Sequence, residues 1–248
     1  MSQTAERALR GAFLGVVAYR DAVALQQEVR RQIRQEGAAD ALLLLEHPHV
    51  YTLGRSAQRG DILASPAELA GRDVTVEECD RGGQVTYHGP GQLVGYPVLD
   101  LNPDRRDVRR YVRDLQRVLV DTLARFGVVA EGRMDQPEIG VWTGGRKIGS
   151  IGVHLSRWIT THGFALNVAT DLEYFRGIVP CGLERVEMTS IERQTGRRLT
   201  PATVAAVCAE IFADVFERRL VALDLVGHRP GAPPVEIAAR EAPWAGRS

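Results

Sequence analysis

The stretch RGGQVTYHGPGQL, residues 81–93, runs directly into LVGYPVLDL, an apolar segment with the character of a strand. That order limits the fold. Glycine-rich loops that open helices belong to nucleotide-binding βαβ units, where the helix N-terminus holds phosphate. This loop matches neither GxxxxGK[ST] nor a GxGxxG at the head of a helix. The rest of the chain mixes strands and helices without βαβ alternation, so the expected class is α+β rather than a doubly wound α/β sheet.

FLGVVAY, residues 13–19, reads as a strand leading into a polar helix that stops at Gly37. ALLLLEH, 41–47, reads as a buried strand, and DVTVEEC, 73–79, alternates as a half-buried one. Helical spacing is clearest over 107–126, where Val108, Tyr111, Val112, Leu115, Val118, Leu119, Leu123 and Phe126 form one apolar face. Residues 139–169 look β-rich with tight turns. A second helix starts at Thr200 as N-cap, with Pro201 at its first position. No internal repeat is found and composition does not shift before the tail, so one domain is the simplest organisation.

Composition excludes some functions. Formal net charge is zero, which argues against nucleic-acid binding, although Arg105, Arg106, Arg109, Arg110 and Arg113 cluster and a docking patch for an acidic partner stays open. No apolar run is long enough to span a bilayer, and no secretory signal is evident. The three cysteines, Cys79, Cys181 and Cys208, form no CxxC pair, so they are read as reduced thiols of a cytoplasmic protein without a zinc site. Cys79 ends a strand, and Cys208 lies on the apolar stripe of the last helix. Both read as packing residues.

Two readings of the 81–93 stretch stand on its residues alone: a hairpin turn, or the wall of a ligand site approached closely by backbone. His88 reads equally as a turn residue, and His47 and His49 as structural. Cys181, in GIVPCGL, lies between proline and glycine, where irregular backbone can present a thiol. A nucleophilic cysteine needs its thiolate, which a nearby cation favours. The chain is very poor in lysine, yet Lys147 stands in GGRKIGSIG. Lysine can release its proton when buried and arginine cannot. A Cys181–Lys147 pair would serve as nucleophile and acid/base if the two side chains meet.

Three segments, RGGQVTYHGPGQLVGYPVLDL, RKIGSIGVHLSRWITTHGFALNV and GIVPCGLERVEMTSI, together resemble the octanoyltransferases of lipoate biosynthesis, also called the lipoate-protein ligase B family. They stand in the family's order and spacing, over roughly residues 13–220. The resemblance implies one α+β domain with a mixed β-sheet and flanking helices, similar to the catalytic domains of biotin and lipoate protein ligases. The domain is expected over 13–222, with 1–12 as an N-terminal segment and 223–248 as a mostly irregular tail.

The resemblance further implies transfer of an octanoyl group from octanoyl-acyl carrier protein to a lysine of lipoyl domains. The acceptors would be 2-oxoacid dehydrogenase complexes and the glycine cleavage H protein, with no cofactor, metal, nucleic acid or membrane involved. Matched by position, Cys181 would carry the acyl thioester and Lys147 would lower its pKa. Arg81, Gly82, Gly83, Gln84, Val85, Thr86, Tyr87 and His88, then Ser150, Ile151 and Gly152, then Gly163, Phe164 and Ala165, would line the acyl site. The alternatives weighed are an ATP-dependent lipoate or biotin ligase, which needs no cysteine, and a non-catalytic binding module.

Overall fold

The structure, a computed structural model, describes residues 7–135, 138–179, 186–225 and the backbone of 237–240. Cys181 therefore lies outside the described residues.

Two sheets and two helical layers account for most of these residues. The elements in chain order are β1 (Arg7–Val16), α1 (Tyr19–Glu36), β2 (Asp40–Glu46), β3 (Val50–Leu53), α2 (Pro66–Gly71), β4 (Thr75–Glu78), β5 (Val85–His88), β6 (Gln92–Val98) and α3 (Val108–Arg125). Then follow β7 (Glu131–Arg133), β8 (Gly140–Thr143), β9 (Arg146–Ser156), β10 (Ile159–Asn167), α4 (Ile191–Thr195), α5 (Pro201–Phe216), β11 (Arg218–Leu225) and β12 (Ile237–Arg240). Among the described residues the large sheet runs β12-β11-β1-β2-β6-β10-β9-β8-β7, and a small sheet runs β4-β3-β5. The α+β expectation holds: β1 pairs parallel with β2 and β11, while β2, β6, β10, β9, β8 and β7 pair antiparallel.

Side-chain alternation divides the sheet's two faces. Leu42, Leu44, Leu93 and Leu166 pack with α3 and α5. Leu43, Leu45, Val94, Tyr96 and Ala165 turn to the other face, where α1 lies. The helices form where their spacing and caps predict. Asp107 accepts from the Arg109 and Arg110 amides at the start of α3, and Thr200 accepts from Thr203 N at the start of α5. Gly37 closes α1 at φ 67°, donating its N–H to Gln32 O.

Two expectations are corrected, the start of the first strand and the burial of β4. The first strand starts at Arg7, not Phe13, and Tyr19 already belongs to α1, so residues 7–12 are part of the sheet rather than a separate segment. Of the tail expected to be mostly irregular, residues 223–225 and 237–240 are described: β11 runs to Leu225, and β12 pairs with it antiparallel. β4 is an outer strand of the small sheet with most of its side chains exposed, not half-buried.

Candidate active site

On the α1 face of the large sheet, a cleft of about 550 Å³, open solvent at its mouth included, lies between the 81–86 loop and β6, β10 and β9. Every residue matched to the acyl site borders it except Tyr87. Strand alternation turns Tyr87 away: its ring stacks on Tyr174 at 4.9 Å, and its hydroxyl bonds His49 Nδ1 at 2.8 Å. Tyr87 thus supports the loop from behind.

Glycine builds the wall by letting chain segments touch. Gly83 has φ +90°, and its carbonyl lies 2.4 Å from where a Cβ on Gly54 would stand. The loop is held to the sheet by Gly82 N donating to Val153 O at 2.9 Å. It carries Arg81, whose guanidinium is buried and donates to Thr52 O and Thr52 Oγ1, both at 2.8 Å. Among the described residues no carboxylate pairs with Arg81, and its Nε and the Oε1 of Gln84 have no hydrogen-bond partner. The cleft wall therefore carries a fixed positive charge.

Lys147 enters the same wall from β9 and is 1% exposed. Its Nζ donates to Ile139 O at 3.0 Å and lies 5.6 Å from the centre of the Trp142 ring. Its backbone binds the chain that follows the Cys181 segment: Lys147 N donates to Glu187 O and Thr189 N to Lys147 O, both at 2.9 Å. The chain preceding that segment is tied as well, with Val179 N donating to Asp61 O at 2.8 Å.

Several cleft residues escape sequence reading. Tyr19, Val94, Tyr96, Ile139 and His162 all border it. Val94 and Tyr96 follow from period-two alternation once β6 is assigned. His162, next to the matched Gly163, adopts φ 56°, unusual for a residue with a side chain. Its Nε2 is 2.6 Å from Asp80 Oδ1, and His154 Nε2 lies 3.6 Å from Asp80 Oδ2. Burial pushes the His162 pKa down and outweighs Asp80. Burial opposes the Asp80 charge too, but the two histidines hold its carboxyl below the usual range. His88 is driven well below ordinary histidine, first by burial and then by His47, so it is neutral at physiological pH. Two cysteines are described, and neither lines the cleft. Cys208 is buried, with burial pushing its thiol up to about 12, and Cys79 Sγ points to Leu53 O at 3.3 Å.

This fold is shared with lipoate-attaching enzymes. A bipartite lipoate protein ligase from Thermoplasma acidophilum superposes with a TM-score of 0.71 over 87% of this chain and 86% of that one, at 16% identity. A lipoate-protein ligase A bound with ATP gives 0.70 over 88% and 90%, at 18% identity. At such identities the likeness is one of fold. Residues 18–213 match the family of lipoyl protein ligase A/B catalytic domains.

Sequence relatives narrow the class. An octanoyltransferase of Myxococcus xanthus is 51% identical over 84% of this chain, which spans 59% of that protein's length. Octanoyltransferases of Gloeobacter violaceus and Geobacter metallireducens are 45% and 42% identical, over 87% and 98% of their own lengths. The chain belongs to the octanoyltransferases, acyltransferases within the lipoyl protein ligase A/B family.

Proposed function

We propose that the protein transfers an octanoyl group from octanoyl-acyl carrier protein to the ε-amine of a lysine on a lipoyl domain, through a thioester on Cys181. The observation that carries this reading is Lys147, a buried lysine in the wall of the cleft whose backbone is bonded on both sides to residues 187–189. The family's names supply the acyl group. The lipoyl-domain acceptor rests on the archaeal ligase of the same fold, which is described together with its E2 lipoyl domain. The same chemistry suits a glycine cleavage H protein.

The donor thioester is already activated. The Cys181 thiolate adds to its carbonyl, the C–S bond to the carrier's pantetheine thiol breaks, and that thiol takes a proton. Lys147 is the group proposed to draw the proton from Cys181 and return it to the leaving sulfur. Arg81 and the amides of the 81–91 loop supply positive potential to the carbonyl oxygen as charge develops on it. The octanoyl chain lies against the glycine wall. Burying its roughly seven alkyl carbons at ~0.8 kcal/mol each gives about 5–6 kcal/mol before entropic costs.

Intact-mass spectrometry of the protein mixed with octanoyl-carrier protein, without acceptor or ATP, tests this directly. The expected result is one octanoyl adduct at residue 181 that is labile to hydroxylamine, discharges onto a lipoyl domain, and is absent from Cys181→Ala. Transfer that appears only with free octanoate and ATP, and survives in Cys181→Ala, would establish an ATP-dependent ligase instead.

A further inference from the structure

A buried polar chain that the transfer chemistry above leaves unused reaches the cleft at His88. It begins at His88 and passes through two buried amides, Gln92 on β6 and Asn167 on β10, which are each 2% exposed. His88 Nδ1 lies 2.7 Å from Gln92 Oε1. Gln92 Nε2 lies 3.1 Å from Tyr87 O and 3.0 Å from Asn167 Oδ1. Asn167 Nδ2 lies 3.0 Å from Thr189 O. Thr189 in turn donates its N–H to Lys147 O.

Two backbone carbonyls fix the direction of every bond. Tyr87 O and Thr189 O can only accept, so the amide atoms facing them are nitrogens. Asn167 then presents oxygen to Gln92, and Gln92 presents oxygen to His88. An amide oxygen can only accept, so His88 Nδ1 must carry hydrogen. Flipping either amide would set oxygen against oxygen at a buried carbonyl, at a cost of several kcal/mol. In neutral imidazole one nitrogen bears the proton and the other a lone pair. Nε2 of His88 is therefore bare, and among the described residues no hydrogen bond engages it.

We propose that Gln92 and Asn167 are positioning residues that hold His88 as its Nδ1–H tautomer, so that Nε2 accepts the proton of the acceptor lysine's amine. The proposal rests on the acyl-enzyme reading above. The acceptor ammonium first loses one proton to solvent. Its amine then adds to the Cys181 thioester, the C–N bond forms, and the carbonyl electron pair moves to oxygen. His88 Nε2 takes a second proton from that nitrogen. The carbonyl re-forms, the C–S bond breaks, and the proton passes from His88 to the departing thiolate, giving amide and thiol.

The groups facing His88 keep it a base. His47 from the end of β2, Arg81 from the loop and His162 from β10 are cations or potential cations, and each disfavours a charged imidazole. A carboxylate in place of the Gln92 amide would oppose them. It would raise the pH needed to free Nε2.

Two measurements test the proposal. The first is the long-range proton–nitrogen spectrum of the His88 ring in the intact protein, assigned by comparison with His88→Gln. Hydrogen on Nδ1 and none on Nε2 is expected; the opposite tautomer overturns the proposal whatever the activity. The second is single-turnover kinetics of acylation and of discharge onto a lipoyl domain. In Gln92→Ala the loss should fall at least tenfold harder on discharge than on acylation, and Gln92→Ala combined with His88→Gln should be no slower than His88→Gln alone. In Gln92→Glu the ascending limb of discharge against pH should move to higher pH. Equal losses in both half-reactions, or an unmoved limb, would mean that Gln92 only supports the fold. A wild-type protein that forms no acyl-enzyme, while showing the expected tautomer, would sink the thioester reading and with it the role of His88 as base.

Discussion

His47 is fully buried, and its surroundings dictate its charge. Val17 O, 2.6 Å from Nδ1, can only accept, so Nδ1 carries the proton and Nε2 accepts from the Tyr96 hydroxyl at 2.7 Å. Burial pulls the folded pKa to about 4, against the unfolded value near 6.5. Between those values the unfolded chain binds a proton that the folded one refuses. Stability is therefore fully present above pH 6.5 and is lost as pH falls toward 4, by roughly 3 kcal/mol for the whole shift. Denaturant midpoints measured between pH 7 and 4.5 should fall. The fall should be shallower in His47→Gln, whose amide can still donate to Val17 O and accept from Tyr96; an unchanged slope would clear His47 of the effect.

Lys147 is the chain's only lysine, and that singularity is what made it legible among so many arginines. Lys147→Met keeps much of the buried bulk and removes the amine. Formation of the Cys181 adduct should slow by about 10²–10⁴-fold, and Lys147→Arg should not rescue it, because a guanidinium does not release its proton. Near-normal acylation by either variant would remove Lys147 from the chemistry. Tyr19 and His162 were not legible because nothing local marks them, and Tyr96 becomes legible only once β6 is assigned. Tyr96 and His162 meet through the β6–β10 register, in which Gly95 faces Phe164 and Val94 faces Ala165 across strands about seventy residues apart, and Tyr19 joins them from α1.

At the scale of elements, the helices were the easy part. Caps and three-and-four spacing are local signals, and α3 and α5 begin where Asp107 and Thr200 put them. β1 and β11 were harder, since RALRGAF and RRLVALDL mix arginine with short apolar runs. Two of these arginines, Arg7 and Arg218, meet one carboxylate. Asp40, 2% exposed at the start of β2, is paired with Arg218 and Arg7, both at 3.2 Å, and accepts from Asp100 N at 2.9 Å. This joins the ends of β1, β2 and β11. Asp40→Ala would leave Arg218 buried without its partner and should cost about 3–5 kcal/mol, read from the urea midpoint. A cost below 1 kcal/mol would mean that Asp104, 3.0 Å from Arg218, suffices alone. The turn between β5 and β6 has a similar keystone. Gly91 sits at φ +80°, and a Cβ there would stand 2.5 Å from Ala169 O.

At the scale of the molecule, the sheet separates the arginine-rich helix from the chemistry. Gly149 faces Leu119 of α3, whereas its neighbour Ser150 borders the cleft, so α3 covers the opposite face. The arginine cluster seen in the sequence is also not one patch. Arg105 is buried against Asp114, Arg106 lies over the Trp158 ring, and Arg110 approaches Asp114 at 3.9 Å. Two basic residues of the 55–72 segment are engaged as well: Arg59 pairs with Glu78, and Arg72 lies over the Tyr174 ring. Arg55 differs. It is exposed, and its amide donates to Arg81 O, one residue from the cleft's glycine wall. An acidic carrier protein that delivers its acyl group to the cleft is steered by charge at the rim, and a charge beyond a Debye length of about 8–10 Å is largely screened. Reversing Arg55 should therefore raise the apparent KM for the proposed octanoyl-carrier donor several-fold, more at low salt than at high, with kcat nearly unchanged. Arg109→Glu combined with Arg113→Glu, two outward charges on the far face, should change it little. The reverse order of effects would mean that the carrier docks across the α3 face, and that its prosthetic arm reaches the cleft around the edge of the sheet.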